Sequence, residues 1–180
     1  PTGLVGSEMC IRDSFCNVVG VGFDAKTNIH ARTVPIVRGF LMYLVAVLRS
    51  IILTHEAPLM KITTDNESWE DETLMITLCN GAREGGGFAV APEAVVDDGW
   101  LDYVTIRNVS RPMMLRLVPE VMNGTHGRFS QVRLGRFRKL NLECEQAIVI
   151  HIDGEVYAGF SSNVHDFSID IIPAALELIT

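Results

Sequence analysis

Two carboxylates, Asp153 and Glu155, stand two residues apart around Gly154, between apolar runs. Asp-Gly is a strong signal for a type I′ hairpin turn, and that alone would account for the position. The same hairpin tip could do chemistry. One carboxylate could accept a proton from an attacking hydroxyl while the other holds a nucleotide or a metal. Asp97-Asp98-Gly99 is a second candidate. It reads either as a turn before a strand or as a hard-cation site, in which one carboxylate, loop carbonyls and water would suit Mg²⁺. Gly85-Gly86-Gly87 is a third, a tight turn or a phosphate cradle. No Gly-Lys-Ser/Thr comes after it, so it is not a Walker A loop. No G-x-S-x-G elbow and no Cys/His dyad spacing competes for the catalytic role.

These groups need elements to position them. Residues 15–23 (FCNVVGVGF) alternate and read as a strand, followed by a polar stretch to Thr33. Pro35 sits where a helix could start, and residues 38–53 repeat apolar side chains at helical spacing through Phe40, Tyr43, Leu44, Val47, Leu48 and Ile51. This helix is apolar on nearly every face, as a core or interdomain helix would be, and its uncharged run is too short to cross a bilayer. Strands are expected at 59–64, 73–79, 88–90, 101–107, 147–153 and 165–172, with an acidic turn at 65–72. Ser110 and Gly124 bracket a second, shorter helix that Pro119 should kink or shorten. Residues 127–142 carry Arg128, Arg133, Arg136, Arg138 and Lys139 on a strand with a cationic face, either simply solvated or a patch for anions or lipid headgroups. Strands without regular intervening helices predict a mainly β (α+β) fold: an antiparallel β-sandwich with one long apolar helix and one shorter helix.

Composition narrows the partners. A chain of 180 residues that is 48% hydrophobic has room for one domain with a substantial core. A net charge of -7 argues against a nucleic-acid partner. The four cysteines form no C-x-x-C pair, so a reduced, intracellular protein is the simplest reading, and the five histidines are scattered without a zinc pattern. Residues 1–14 (PTGLVGSEMCIRDS) fit neither a signal peptide nor the strand and helix pattern that begins at Phe15. They resemble translated adapter sequence, which leaves residues 15–180 as the domain.

The motifs fall in an order. NVVGVGFDA (residues 17–25) precedes Asn80, the three glycines, Pro92, Ala94, Asp97-Asp98-Gly99 and Leu101-Asp102. Next come a helix ending in Asn123-Gly124 with His126, and then Asp153-Gly154-Glu155. In this order they resemble the second domain of the bacterial diacylglycerol kinase-like lipid kinases, a family that includes the sphingosine and ceramide kinases.

The resemblance implies an ATP- and Mg²⁺-dependent transfer of phosphate to a lipid hydroxyl, in a cleft between an N-terminal nucleotide-binding domain and a C-terminal β-sandwich. It implies Asp153 as general base and Glu155 as an ATP contact. It also implies a structural Mg²⁺ held by the Asp98 side chain with main-chain carbonyls of Val95 and Trp100. The family's Gly-Gly-Asp-Gly-Thr nucleotide motif is absent from these residues, so the resemblance is to the second domain only, with the first expected as a missing partner. A lipid at a membrane surface, a cytoplasmic and peripherally membrane-bound location, and a homodimer complete the expectations. The rival readings are a non-catalytic lipid- or protein-binding sandwich, and a kinase for a soluble hydroxyl such as that of NAD.

Overall fold

The structure, a computed structural model, describes residues 14–33 and 39–175. The adapter-like segment, apart from Ser14, Pro35 and the end of the C-terminal tail lie outside the described residues. The chain runs β1 (Val18–Gly22), α1 (Phe23–Ala31), α2 (Phe40–Leu53), β2 (Leu59–Thr64), β3 (Ser68–Cys79), β4 (Leu101–Arg107) and α3 (Arg111–Asn123). A 3₁₀ turn (His126–Arg128) then leads to β5 (Val132–Phe137), β6 (Lys139–Cys144), β7 (Ile150–Ile152), β8 (Glu155–Ala158) and β9 (Asp166–Asp170).

All strand pairs are antiparallel. The twelve residues of β3 make the sheet curl. Its first half pairs with β2, which leads on to β6 and β9, and its second half pairs with β1 and β4. The two halves of the curled sheet face each other as a sandwich. Strand alternation explains the filling. Val19 and Val21 of β1, Ile76 and Leu78 of β3, and Leu101 and Tyr103 of β4 point inward and meet Met60, Ile62, Leu140 and Leu142 from the other half.

The opposite face of β1, β3 and β4 is covered by helices. There Val18, Leu74, Val104 and Ile106 form a second core with Val47 and Ile51 of α2 and Met114 and Leu117 of α3. The mainly β, sandwich-like class is as expected.

Several details differ from the expectation. Residues 68–72, expected within an acidic turn, form the first half of β3, and residues 127–142, expected as one strand, hold the end of the 3₁₀ turn, β5 and the start of β6. Residues 23–31, expected as a polar connection, form helix α1. Its buried positions include Asp24, Lys26 and Thr27, so it has no apolar stripe to announce it. Residues 88–90 form no strand; Phe88 makes a single bridge with Glu84. Pro119 does not end α3, which continues to Asn123 and is closed by Gly124 at φ 70.

Helix α2 is buried along one face only. Ala46, Val47, Ser50 and Ile51 face the core, while Leu41, Val45, Leu48 and Ile52 are exposed. The basic residues of 127–142 do not form a free cationic row. Arg133 pairs with Glu67, Arg136 with Asp98 and Asp102, Lys139 with Asp170 and Arg128 with Glu120, and Arg138 lies over the Trp100 ring. Among the described residues no helix is long and apolar enough to cross a membrane.

Candidate active-site cleft

Strand β7 ends in a type I′ turn, with Asp153 at φ 47 and Gly154 at φ 85. The turn aims the Asp153 carboxylate at the chain entering β1. Oδ1 accepts from the amides of Asn17 at 2.9 Å and Val18 at 2.7 Å, and Oδ2 accepts from the Cys16 amide at 2.8 Å and its thiol at 3.4 Å. Burial would raise the pKa of this carboxyl, but the backbone amides of Cys16, Val18 and Asn17 hold it below the ordinary carboxylate value. Asp153 is therefore an ionised group at neutral pH. Of its contacts, the thiol is the weakest. Glu155, whose side chain is 85% exposed, pairs at 2.7 Å with Arg32, and Arg32 also donates to the Gly154 carbonyl at 2.8 Å.

Asp153 and Glu155 lie on one cleft of about 610 Å³, lined also by Cys16, Asn28, Tyr43 and Glu84. The three glycines serve this cleft as scaffolding. A Cβ at Gly85 would meet the Tyr43 ring at 2.6 Å, and one at Gly87 the Phe40 ring at 2.6 Å. The loop is bare so that α2 can lay its aromatic rings against it and stack them on Phe88. These contacts occupy the glycines with packing.

Beneath the cleft lies a buried polar cluster that the sequence reading missed. Gly20 pairs with Thr77 on one side and His151 on the other, so three strands set one row facing α1. Asp24, in the first turn of α1, receives the Tyr43 hydroxyl at 2.9 Å on Oδ1 and the Thr77 hydroxyl at 2.9 Å on Oδ2. His151 Nε2 lies 3.4 Å from Asp24 Oδ2 and 3.2 Å from Glu84 Oε1. A Cβ on Gly20 would sit 2.2 Å from both Asp24 Oδ2 and His151 Nε2, so only glycine leaves room for this meeting.

Burial lowers the basicity of His151, but the charges of Asp24 and Glu84 outweigh it and lift the imidazole to about 10. Burial raises Asp24, and the facing His151 pulls it below its ordinary value. Glu84 is pushed up to about 7 by burial and by the Asp24 charge. The Gly154 amide also points at His151 Nδ1, at 3.4 Å. That contact is too long to hold the ring neutral against two buried carboxylates. The visible signal for these residues was a single polar side chain inside a strongly apolar run: His151 in AIVIHID and Asp24 after VVGVGF.

The third candidate stands apart. Asp98, Val95 and Trp100 do not line the cleft. Asp98 Oδ1 accepts the Trp100 amide at 2.9 Å, and Oδ2 pairs with Arg136 at 3.2 Å. Arg136 also reaches Asp102 and the Glu93 carbonyl. The turn thus fits a hard cation only in part, because a guanidinium already supplies positive charge there and Mg²⁺ would have to share Asp98 with it.

Residues 17–180 match the family described as the YegS C-terminal NAD kinase beta sandwich-like domain. The chain belongs to this family. A diacylglycerol kinase of Mycobacterium tuberculosis is 25% identical over 177 residues, covering 98% of this chain and 55% of that protein. A probable YegS-like lipid kinase of Pseudomonas aeruginosa is 30% identical over 146 residues, 81% of this chain and 47% of that protein. The chain thus spans about half the length of these curated relatives. A crystal structure of a putative diacylglycerol kinase from Bacillus anthracis superposes with a TM-score of 0.60 at 21% identity, over 87% of this chain and 50% of that one. That likeness is one of fold. Within the family frame, the cleft that joins Asp153 and Glu155 is the candidate active site.

Proposed function

We propose that this chain forms the lipid-side half of the cleft of an ATP- and Mg²⁺-dependent lipid kinase acting on a diacylglycerol-like hydroxyl, with Asp153 as general base. The observation that carries the reading is the Asp153 carboxylate, held ionised by three backbone amides at the edge of a cleft in a lipid-kinase family domain.

The acceptor hydroxyl takes the place of the Cys16 thiol at Asp153 Oδ2, the one weak contact on that oxygen. Its oxygen bonds to the γ-phosphorus of ATP as the bond to the bridging oxygen breaks and ADP departs. The hydroxyl proton passes to Asp153. A carboxylate of lowered pKa is a weak base, but a loose phosphoryl-transfer transition state asks mainly for a positioned nucleophile and accepts the proton late. Glu155 contacts the nucleotide after exchanging its Arg32 partner. Mg²⁺ bound with ATP would neutralise phosphate charge; the further ion at Asp98, Val95 and Trp100 belongs to the same reading.

The nucleotide-binding half is supplied by sequence outside these residues, and the work is done at the cytoplasmic face of a membrane. The exposed aliphatic row of α2 (Leu41, Val45, Leu48, Ile52) favours peripheral membrane contact. That row alone would also serve a non-catalytic lipid-binding module, which is the second reading.

The test is ATP-dependent phosphorylation of diacylglycerol in mixed micelles. The complete gene product should be active, its Asp153→Asn variant should lose activity by at least about a thousandfold, and the 180-residue chain alone should be near background. Wild-type turnover in Asp153→Asn would remove Asp153 as base, and robust turnover by the chain alone would remove the half-cleft reading.

A further inference from the structure

The Asp24, Glu84 and His151 cluster has a donor set and a charge that the phosphoryl-transfer reading does not use. Each residue offers one ligand atom, and all three atoms lie within 4.8 Å of one another. The two edges that meet at His151 Nε2 measure 3.4 Å and 3.2 Å. Tetrahedral coordination with bonds near 2.0 Å has edges of about 3.3 Å, so the two edges at His151 Nε2 match those of a tetrahedral site.

The surroundings resemble a metal site's outer shell. Tyr43 and Thr77 hold the two Asp24 oxygens, and Gly20 has no Cβ to crowd Asp24 Oδ2 and His151 Nε2. The side chains are 0%, 5% and 9% exposed for His151, Asp24 and Glu84, so this is no solvated acidic patch. Glu84 also lines the cleft, giving a path from solvent and an open side.

A dication with neutral imidazole and two ionised carboxylates would form a neutral unit, which suits a dry place.

We infer that Asp24, Glu84 and His151 bind one first-row divalent cation of the zinc class, with at least one coordination position open towards the cleft. One imidazole nitrogen and two carboxylate oxygens suit Zn²⁺ and disfavour Mg²⁺, which wants six oxygens and keeps its waters. In the binding step the Nε2 proton of His151 passes to solvent and its lone pair bonds the metal.

The test uses the chain itself, stripped with chelator, and needs no substrate, so it stands or falls apart from the kinase reading. After equilibration with ZnCl₂ and gel filtration, elemental analysis should find one zinc per chain and no retained magnesium. Zinc should raise Tm. His151→Gln and Glu84→Gln should each weaken zinc by at least about 100-fold, while the surface variant His165→Gln should not. CoCl₂ should give the intense visible bands of tetrahedral Co²⁺ in the wild-type chain, a readout that does not depend on the variants folding. Retention of no zinc, equal retention by the two cluster variants, or an octahedral cobalt spectrum would overturn the inference. So would a thiolate charge-transfer band, which would place the metal on a cysteine.

Discussion

Asp153 and Val18 are bonded in both directions. The Val18 amide donates to Asp153 Oδ1 at 2.7 Å, and the Asp153 amide donates to the Val18 carbonyl at 2.8 Å. This reciprocal pair closes the end of the β1–β7 ladder, where Val19 is already registered with Ile152. The carboxylate thus has a structural duty as well as a chemical one. It satisfies the amides of Cys16, Asn17 and Val18 where β1 begins.

Acid should weaken this closure. The folded pKa of Asp153 lies below its ordinary 3.8 because three amides favour the ionised form. Its contribution to stability is complete above that ordinary value and is lost as pH falls through the folded one. Asp153→Asn should therefore flatten the acid limb of a urea-midpoint-against-pH curve below about pH 4. At pH 7 the same variant should cost about 1–3 kcal/mol, because an amide NH₂ faces backbone donors. An acid limb identical to wild type would show that the carboxylate is not anchored in this way.

Gly20 gives a second prediction. Gly20→Ala would place a methyl 2.2 Å from both Asp24 Oδ2 and His151 Nε2, each on a buried side chain with nowhere to move. The expected cost is about 3 kcal/mol, read as a lowered urea midpoint. Gly99→Ala is the control for positive φ alone, since Gly99 is at φ 76 with nothing within 4 Å of the added Cβ. Equal losses at the two positions would mean that the cluster does not require the space.

How far the sequence went depended on whether each signal was local. The bounds of β2 and β4 and the turn at Asp153-Gly154 arise from alternation and turn chemistry within a few residues. Helix α1 was hidden because its buried positions mix Asp24, Lys26 and Thr27 with Phe23, Ala25 and Ala31, and periodicity registers only apolar faces. The Asp24, Glu84 and His151 cluster was hidden differently. Its members are 60 and 67 residues apart along the chain, and only the central place of β1 between β3 and β7 brings them together. Glu84 stands beside the three glycines, where a phosphate cradle was one expectation, and the glycines draw attention from the carboxylate next to them.

Glu84 should make the metal-free chain sensitive to base. Burial and the Asp24 charge lift its pKa from 4.5 to about 7, so the fold favours the protonated form. That advantage is full below 4.5 and is lost as pH rises through about 7. In chelator-treated protein, the stability of Glu84→Gln relative to wild type should therefore rise between pH 5 and pH 8, by up to roughly 3 kcal/mol. Urea titrations at the two pH values measure it. A difference that does not change with pH would show that Glu84 ionises freely in the fold.

The exposed face of α2 allows the membrane part of the function to be tested apart from catalysis. Leu48 and Ile52 lie one helical turn apart and are 40% and 70% exposed, while Val47 and Ile51 beside them are buried. Replacing the exposed pair should leave the core intact, with stability changed by no more than about 0.5 kcal/mol per site. If this row inserts into a lipid surface, each aliphatic side chain brings about 1.5–3 kcal/mol of apolar transfer energy when fully covered. Leu48→Gln with Ile52→Gln should then reduce co-sedimentation with anionic phospholipid vesicles by at least about tenfold. High salt should change the loss little, because the basic residues of β5 and β6 are already paired or stacked. Vesicle binding that survives the double substitution but vanishes in salt would move the contact from α2 to charge.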